Sequence, residues 1–309
     1  MPALTLLEAS KLASGNEIQS AVIELYAGSS AVLNVLPFRD IQGNALTYNQ
    51  EVSLPGVGFR GVNEGYVPSV GIVNPQTESL VIAGGEVDVD RVILRTMGEE
   101  VRSTHESMKI RSLGLAWTRK FIKGDHMSNP REFDGLQTRV VGNQLMSAGT
   151  TSGGAALSLA TLDEAIANTL NPTAIIMDKK MGLKFSAAAR NPSIGGYIVW
   201  GPNEFGKKIM FYGDLPILTL DLDNDQNSIL PFTETAYTGA DTATSIYVVS
   251  IGPAGLTGIQ NGTMDVEDLG ILETQPVFRT RIEWLNGIAI FNGRAVTRLR
   301  HIGNLPIVA

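Results

Sequence analysis

The spacing of apolar positions changes once, sharply, near residue 98, and that change divides the chain. From Glu86 to Arg95 the pattern alternates. Val87, Val89 and Arg91 fall on one face and Glu86, Asp88 and Asp90 on the other, which predicts a strand leading directly into the next element. From Gly98 the period becomes helical. Met97, Val101, Thr104, Met108, Leu115 and Ile122 form one stripe, and a second stripe of Ile110, Leu113, Trp117 and Phe121 appears only in the latter half. The helix is therefore expected to bury one side at first and two later. Glu99 and Glu100 open it, Lys120 and Lys123 close it, and Gly124 follows, as the helix dipole and C-terminal capping favour. At 1.5 Å per residue it would be about 40 Å long, longer than most helices of compact domains.

Before this strut, Leu4–Ala13 and Glu17–Tyr26 have helical spacing, too short to be stable alone, and an apolar stretch, Val32 to Phe38, ends this N-terminal arm at Pro37. Residues 41–85 are punctuated by Gly43, Gly56, Gly58, Gly61, Gly65, Gly71, Gly84 and Gly85 and by Pro55, Pro68 and Pro75. Their large apolar side chains are too thinly spread for an independent core, so a long two-stranded excursion packing on a neighbouring copy is the simplest reading. After the helix, Ser147–Gly154 reads as a flexible connector and a domain boundary. Thr161-Leu-Asp-Glu164 reads as a capping box opening a helix through Leu170, and Asp178 as the cap of a helix over Lys179–Ala189. Strands are expected at Ala174–Met177, Tyr197–Trp200, Lys208–Phe211, Ile217–Leu220 and Ser245–Ile251, a mixed α/β unit over about 155–265. Near the end, Asn286-Gly287 and Asn292-Gly293 read as hairpin turns between strands.

Composition narrows the function classes. The absence of Cys removes disulfides, thiolate metal sites and cysteine catalysis. A net charge of −7 argues against a protein that coats nucleic acid by neutralising phosphates. No run of eighteen apolar residues and no secretory pattern are present, so no membrane span is expected, and synthesis in a cytoplasm is.

The motifs that could carry chemistry each lack a necessary part. Gly56-Val-Gly-Phe-Arg-Gly61 has dinucleotide-binding spacing without the helix that must follow, and reads as a bent loop. Gly201-Pro-Asn-Glu-Phe-Gly206-Lys207-Lys208 approaches a phosphate-binding loop, but Lys208 stands where Ser or Thr must hold magnesium, so a turn between strands is expected. Asp221-Leu-Asp-Asn-Asp225 opens like a calcium loop, with Gln226 in place of the required Gly and Phe232 at the twelfth position. It reads as a solvated acidic loop, with a weak cation site left open. His105, His126 and His301 have no partner at metal spacing, and no Ser sits in a nucleophile elbow. No catalytic, cofactor-binding or metal-ligating residue is therefore assigned. Arg102, Lys109, Arg111, Arg119, Lys120 and Lys123 give the helix a positive side, read either as a solvated or inter-subunit ion-pairing face or as a face toward nucleic acid.

The order of parts resembles the major capsid proteins of tailed bacteriophages, the Hong Kong phage-type shell fold. Leu36-Pro37 with Ile41 and Gly43, the turn Asn63-Glu64-Gly65, Glu86–Leu94, Gly124-Asp125 and Phe133-Asp134-Gly135-Leu136 are similar to that family's stretches in the same order. So are Thr161–Ala165, Ile175–Asp178, Tyr212-Gly213-Asp214-Leu215-Pro216-Ile217, Ser245–Val248 and Arg279–Trp284 through Leu299. The resemblance implies an α+β fold with an N-terminal arm (1–40), an extended two-stranded E-loop (41–97), a P-domain with its spine helix (98–150), a central mixed α/β A-domain (151–270) and returning P-domain strands (271–309). It implies a structural subunit, not an enzyme, that self-assembles into pentamers and hexamers around double-stranded DNA. The expected location is the virion shell, assembled in the host cytoplasm. Implied partners are many copies of itself, a portal protein, packaged DNA contacted non-specifically at most, and an optional cementing protein. Some members crosslink an E-loop Lys to a neighbour's Asn. Residues 41–98 contain no Lys, so that chemistry is not expected here. Some members begin with a removable scaffolding segment, a pattern not matched here, so a separate scaffolding protein is expected. The alternatives carried forward are an encapsulin-type compartment and, from another class, a nucleotide- or cation-dependent enzyme built on 151–270.

Overall fold

The computed structural model describes residues 30–191, 197–202 and 208–308. The helices expected at Leu4–Ala13 and Glu17–Tyr26 lie outside the described residues. In chain order the elements are α1 (Ala31–Val35), β1 (Phe38–Asp40), β2 (Ala45–Ser53), β3 (Ile72–Ser79), β4 (Val81–Asp90), α2 (Arg91–Met97), α3 (Glu100–Lys123), α4 (Leu136–Arg139) and β5 (Leu145–Ser147). They continue with α5 (Leu159–Asn168), β6 (Ala174–Asp178), α6 (Lys179–Ala188), β7 (Ile198–Pro202), β8 (Lys208–Tyr212), β9 (Leu215–Leu220), β10 (Ala243–Val249), β11 (Leu256–Gln260), β12 (Asp265–Ile271), β13 (Val277–Ile290) and β14 (Val296–Gly303).

Two sheets share one core. The seven-stranded sheet has the order β5-β14-β10-β6-β9-β8-β7, and every residue of β6 and β10 is buried. Burial on both faces explains why these strands read as unbroken apolar runs. Ile175, Met177, Ile246 and Val248 face the helices α5 and α6, through Leu162, Met181 and Phe185. Ile176, Leu218, Tyr247 and Val249 face the other way, into the core that holds α1 and α3. The second sheet is built on β13. Its first half pairs with both β12 and β4, so that Arg281 stands opposite Glu267 and Glu86, and its second half pairs with β11, which β1 extends in parallel.

An aromatic cluster joins α3 to this second sheet. Trp117 stacks on Phe121 with ring centroids 5.3 Å apart and meets Phe38, Phe133 and Trp284 at 5.9, 6.0 and 6.4 Å. Each buried indole N–H has a partner. Trp117 Nε1 donates to Asn286 Oδ1 (2.9 Å), and Trp284 Nε1 donates to Gln260 Oε1 (3.2 Å). Gln260 Nε2 in turn donates to Asp40 Oδ1 (2.7 Å). Gly258 lies directly against the Phe38 ring, leaving no room for a Cβ.

That arrangement corrects the reading of Asn286-Gly287 as a hairpin turn. Both residues pair within the continuous strand β13, opposite Gln260 and Ile259. Asn286 is there because a buried indole needs an acceptor, and its Nδ2 donates to Trp284 O (3.1 Å). Asn292-Gly293 does make a turn, but the strands on either side belong to different sheets, so it is not a hairpin.

The first half of α3 also departs from expectation. The stripe headed by Met97 and Met108 is exposed at those residues (71% and 62%), and Ile122 is its fully buried member. The later stripe supplies the core residues Ile110, Trp117 and Phe121. Polar groups attach the first half instead. Arg102 donates to Glu106 Oε1 (3.1 Å), Thr280 Oγ1 (2.7 Å) and Asp268 Oδ1 (2.7 Å) while lying over the Phe278 ring. The expected direct strand-to-helix passage is interrupted. Asp90 ends β4 and caps α2 through Val92 N (2.7 Å), and Gly98, at φ +90°, separates α2 from α3. α3 has 24 residues and measures about 36 Å.

Gly124 and Gly135 close the far end of α3. Gly135 N donates to Gly124 O (2.9 Å), and a Cβ at either position would strike backbone oxygens. Four further expectations are revised. Ser147–Gly154 is pinned, since Ser147 Oγ bonds His301 Nδ1 (2.8 Å) and Gly154 packs on the Gly303 backbone. The expected capping box is not one, because α5 begins at Leu159 and Thr161 Oγ1 bonds Ser158 O (3.1 Å) from inside its first turn. β11 and β12, assigned to 151–270, sheet with β13. β14, assigned to 271–309, sheets with β10.

Trp117→Ala should cost about 3–5 kcal/mol in urea unfolding of the subunit, the range of a buried Trp truncation. Asn286→Ala should cost about 1–3 kcal/mol by leaving the indole N–H unpaired. A measured cost near zero for both would show that the cluster does not hold α3 to the sheet.

Candidate functional site

The most conspicuous functional feature is a projection. β2 and β3 form a two-stranded sheet of their own, and the chain between them is irregular and exposed. Phe59 is 103% and Val62 93% exposed, and Leu54, Val57, Val67 and Val70 are similarly open. The tip is organised only locally: Gly61 N donates to Glu64 Oε2 (2.8 Å), and Arg60 lies over the Tyr66 ring. No helix follows Gly61, so the dinucleotide-like spacing is a bent loop.

The root of this projection is tied firmly to the body. Tyr48 Oη donates to Ile290 O (3.0 Å) and Glu78 Oε1 (3.3 Å), with its ring edge-on to Phe291 at 4.8 Å. Burial, then the Glu78 charge, pushes the Tyr48 phenol up to about 12. Arg139 forks onto both oxygens of Glu78, with Nη2 2.7 Å from Oε2. Nothing in the local sequence couples Glu78 to Arg139, 61 residues away.

The acidic loop is not simply solvated. Asp223 is buried, with Oδ1 accepting from the backbone N–H of Asp225 (2.9 Å) and Asn227 (2.8 Å) and Oδ2 accepting from Arg119 (2.6 Å). Asp221 pairs with Lys179. Protein cations therefore stand where a calcium loop would hold its ion. Among the described residues no group of three or more His, Asp or Glu is placed to hold a metal. Of the phosphate-loop candidate, Gly201 and Pro202 end β7 and Lys208 begins β8, and the residues between lie outside the described set.

The positive side of α3 is largely consumed inside the subunit. Arg102 pairs with Glu106 and Asp268, Arg119 with Asp223, and Lys120 with Glu132 (2.7 Å). Lys109 lies over Gly85. Arg111 is exposed, and Lys123 lines a polar recess of about 650 Å³ with Glu234, Arg298, Arg300 and His301. His105 and His126 are exposed, whereas His301 is buried against Tyr237. Burial, and the neighbouring Arg300 and Arg298 charges, hold the His301 imidazole below its ordinary range. A second exposed apolar group, Tyr197, Val199 and Trp200, lies on and beside β7 at the end of the seven-stranded sheet.

Residues 14–178, just over half of the chain, match the family model "Major capsid protein GP7". A comparison with curated protein sequences finds no significant match. Among solved structures, the SrpI encapsulin of Synechococcus elongatus PCC 7942 is similar over 99% of both chains, with TM-score 0.63 and 16% identity. The capsid of an empty GTA particle is similar over 89% of this chain and 90% of its own, with TM-score 0.63 and 13% identity. The structure from Mycobacterium phage Bobi covers 87% of this chain and 89% of its own, with TM-score 0.61 and 12% identity.

The ion pairs of the acidic loop make a testable distinction. Asp223→Ala should cost about 2–3 kcal/mol, the scale of buried charge-assisted hydrogen bonds. Asp225→Ala, on the exposed side, should stay within about 0.5 kcal/mol. Millimolar calcium should leave the melting temperature of the subunit unchanged. A calcium-dependent rise that Asp223→Ala abolishes would restore the cation site.

Proposed function

The chain belongs to the major capsid protein GP7 family, and from that membership we propose that its copies close into pentamers and hexamers of an icosahedral phage shell around double-stranded DNA. It is a shell-forming subunit with the fold shared by phage capsids, GTA capsids and encapsulins. The role of the family is structural.

The observation that carries the assembly reading is the uncovered projection on a well-packed body. An apolar side chain such as Val or Phe gains about 1.5–3 kcal/mol when fully buried. The row from Leu54 to Val73 leaves that gain unrealised in one copy, and a neighbouring copy lying beneath it would realise it. The firm root at Tyr48, Glu78 and Arg139 suits this role, because it aims the projection without needing the tip to be ordered. The exposed apolar side chains around β7 suit contacts near the symmetry axes. A separate scaffolding protein and a portal protein complete the proposed set of partners, with a cementing protein optional and assembly in the host cytoplasm. The likeness to SrpI encapsulin supports a second reading, a protein compartment with cargo, which the contents of purified particles would decide.

Phe59→Ser should leave the subunit's unfolding free energy within about 0.5 kcal/mol, since the ring is fully exposed. Particle yield, measured by electron microscopy and sedimentation, should fall sharply. Normal yield would show that the tip is not an assembly contact. Mature particles boiled in SDS should separate into single, unlinked subunits, and a covalent ladder would contradict the inference from the missing lysines.

A further inference from the structure

The dipeptide Asn-Gly occurs three times in the chain, at 261–262, 286–287 and 292–293, and folding treats each differently. The pair is chemically labile, because a glycine nitrogen with no neighbouring Cβ can reach the carbonyl carbon of the preceding carboxamide. At Asn286-Gly287 both ends of the carboxamide are held. Oδ1 accepts from Trp117 Nε1 (2.9 Å), Nδ2 donates to Trp284 O (3.1 Å), and Gly287 is fixed in the ladder opposite Ile259. At Asn261-Gly262 the side chain is turned away, with Nδ2 donating to Gly43 O (3.0 Å). Asn292-Gly293 has the opposite geometry. Asn292 Oδ1 accepts from the backbone N–H of Arg294 (2.8 Å), which folds the carboxamide over the intervening Gly293 peptide. Gly293 is exposed, and among the described residues neither its N–H nor Asn292 Nδ2 has a hydrogen-bond partner.

We propose that Asn292-Gly293 is a site of spontaneous deamidation, selected by the fold, at the root of the projection. Gly293 N gives its proton to solvent hydroxide and attacks Asn292 Cγ. The new C–N bond closes a five-membered imide, the Cγ–Nδ2 bond breaks, and ammonia leaves with a proton from water. Water then opens the ring at either carbonyl, giving Asp, or an isoaspartate whose backbone runs through the side chain. The net change is water for ammonia, with one new carboxylate and no redox step. Two features of the turn favour the addition. The side chain is already held in the folded position, and the Arg294 N–H already points at the oxygen on which negative charge develops. The location couples this chemistry to the projection. Just before the turn, Ile290 O accepts from Tyr48 Oη (3.0 Å) and the Phe291 ring meets Tyr48 at 4.8 Å. Just after it, Arg294 Nε donates to Asn168 O (3.2 Å) and Arg294 O accepts from Leu170 N (2.9 Å). An isoaspartate puts an extra backbone atom between these two anchorages, and so loosens the hold on β2 as the protein ages.

Ageing the full chain in ¹⁸O water at mildly alkaline pH, folded and in urea, tests this by peptide mass spectrometry. In urea all three Asn-Gly pairs should take up label. In the folded protein Asn292 should be labelled first, as Asp and isoaspartate, with Asn261 slower and Asn286 intact. Gly293→Ala should lose the label at 292. Its Cβ would stand 3.5 Å from Gln50 Nε2, an ordinary contact, so the fold should be kept. Hydrogen exchange of the β2 and β3 amides should be faster in aged than in fresh protein, and unchanged on ageing in Gly293→Ala. Folded protein unlabelled at 292, or labelled at 261 before 292, would overturn the site. Label at 292 with no change in exchange would overturn its link to the projection. If Gly293→Ala does not fold, the comparison of folded with urea-treated protein still decides.

Discussion

The structure depends on burying two indoles in one core without stranding their N–H groups. Trp117 comes from the helix and Trp284 from the longest strand, and each finds a side-chain amide, Asn286 and Gln260, placed on paired positions of β13 and β11. A donor left unpaired in such a core would cost about 1–3 kcal/mol, so the amides fix where the helix can cross the sheet. Phe38 wedges against both rings and brings the first described segment into the same cluster, with Gly258 allowing the approach. Helix, sheet and N-terminal segment are thereby held at a single point.

Around that point the subunit settles nearly all of its inward-facing charge by itself. Arg102, Arg119, Arg139 and Arg298 each bind a carboxylate from a distant part of the chain, and Arg279 and Arg281 lace β13 to Glu86 and Asp88 of β4. The exposed pairs of the β4–β13 ladder add little stability singly, but they give the two strands one register on the solvent side. The apolar side is handled differently. The body packs most of its large apolar side chains into the cores, whereas the projection between β2 and β3 leaves its own uncovered. A subunit that settles nearly all of its inward-facing charge but leaves apolar surface uncovered gains by association.

Some of this was legible because the physics is local. The alternation of Val87 and Val89 with Glu86 and Asp88 is a property of any strand with one covered side, and Asp178 caps α6 through a residue two positions away. The end of the helix was legible for the same reason. Gly124 and Gly135 sit where backbone meets backbone; Gly124 was legible as the glycine that follows the helix, whereas the Gly-Asp and Gly-Leu pairs were recognised only through the family resemblance. The thin apolar content of residues 41–85 likewise announced a segment unable to build its own core.

What the sequence by itself determined was therefore the long helix, the strands Ala174–Met177 through Ser245–Ile251, their order and the thin apolar content of the projection. The tertiary structure decided which side chains those elements present to one another. Asn286-Gly287 has the composition of a turn, and an indole 169 residues away makes it the middle of a strand. Asp221–Asp225 has the opening of a calcium loop, and Arg119 and Lys179 occupy its carboxylates instead. Met97 and Met108 lie on an apolar stripe, yet among the described residues no element packs on them, and polar bonds from Arg102 attach that half of the helix. In each case the deciding partner lies far away in the chain. Periodicity and spacing carry information over a few residues, and a buried hydrogen bond or ion pair forms wherever folding brings its two groups together.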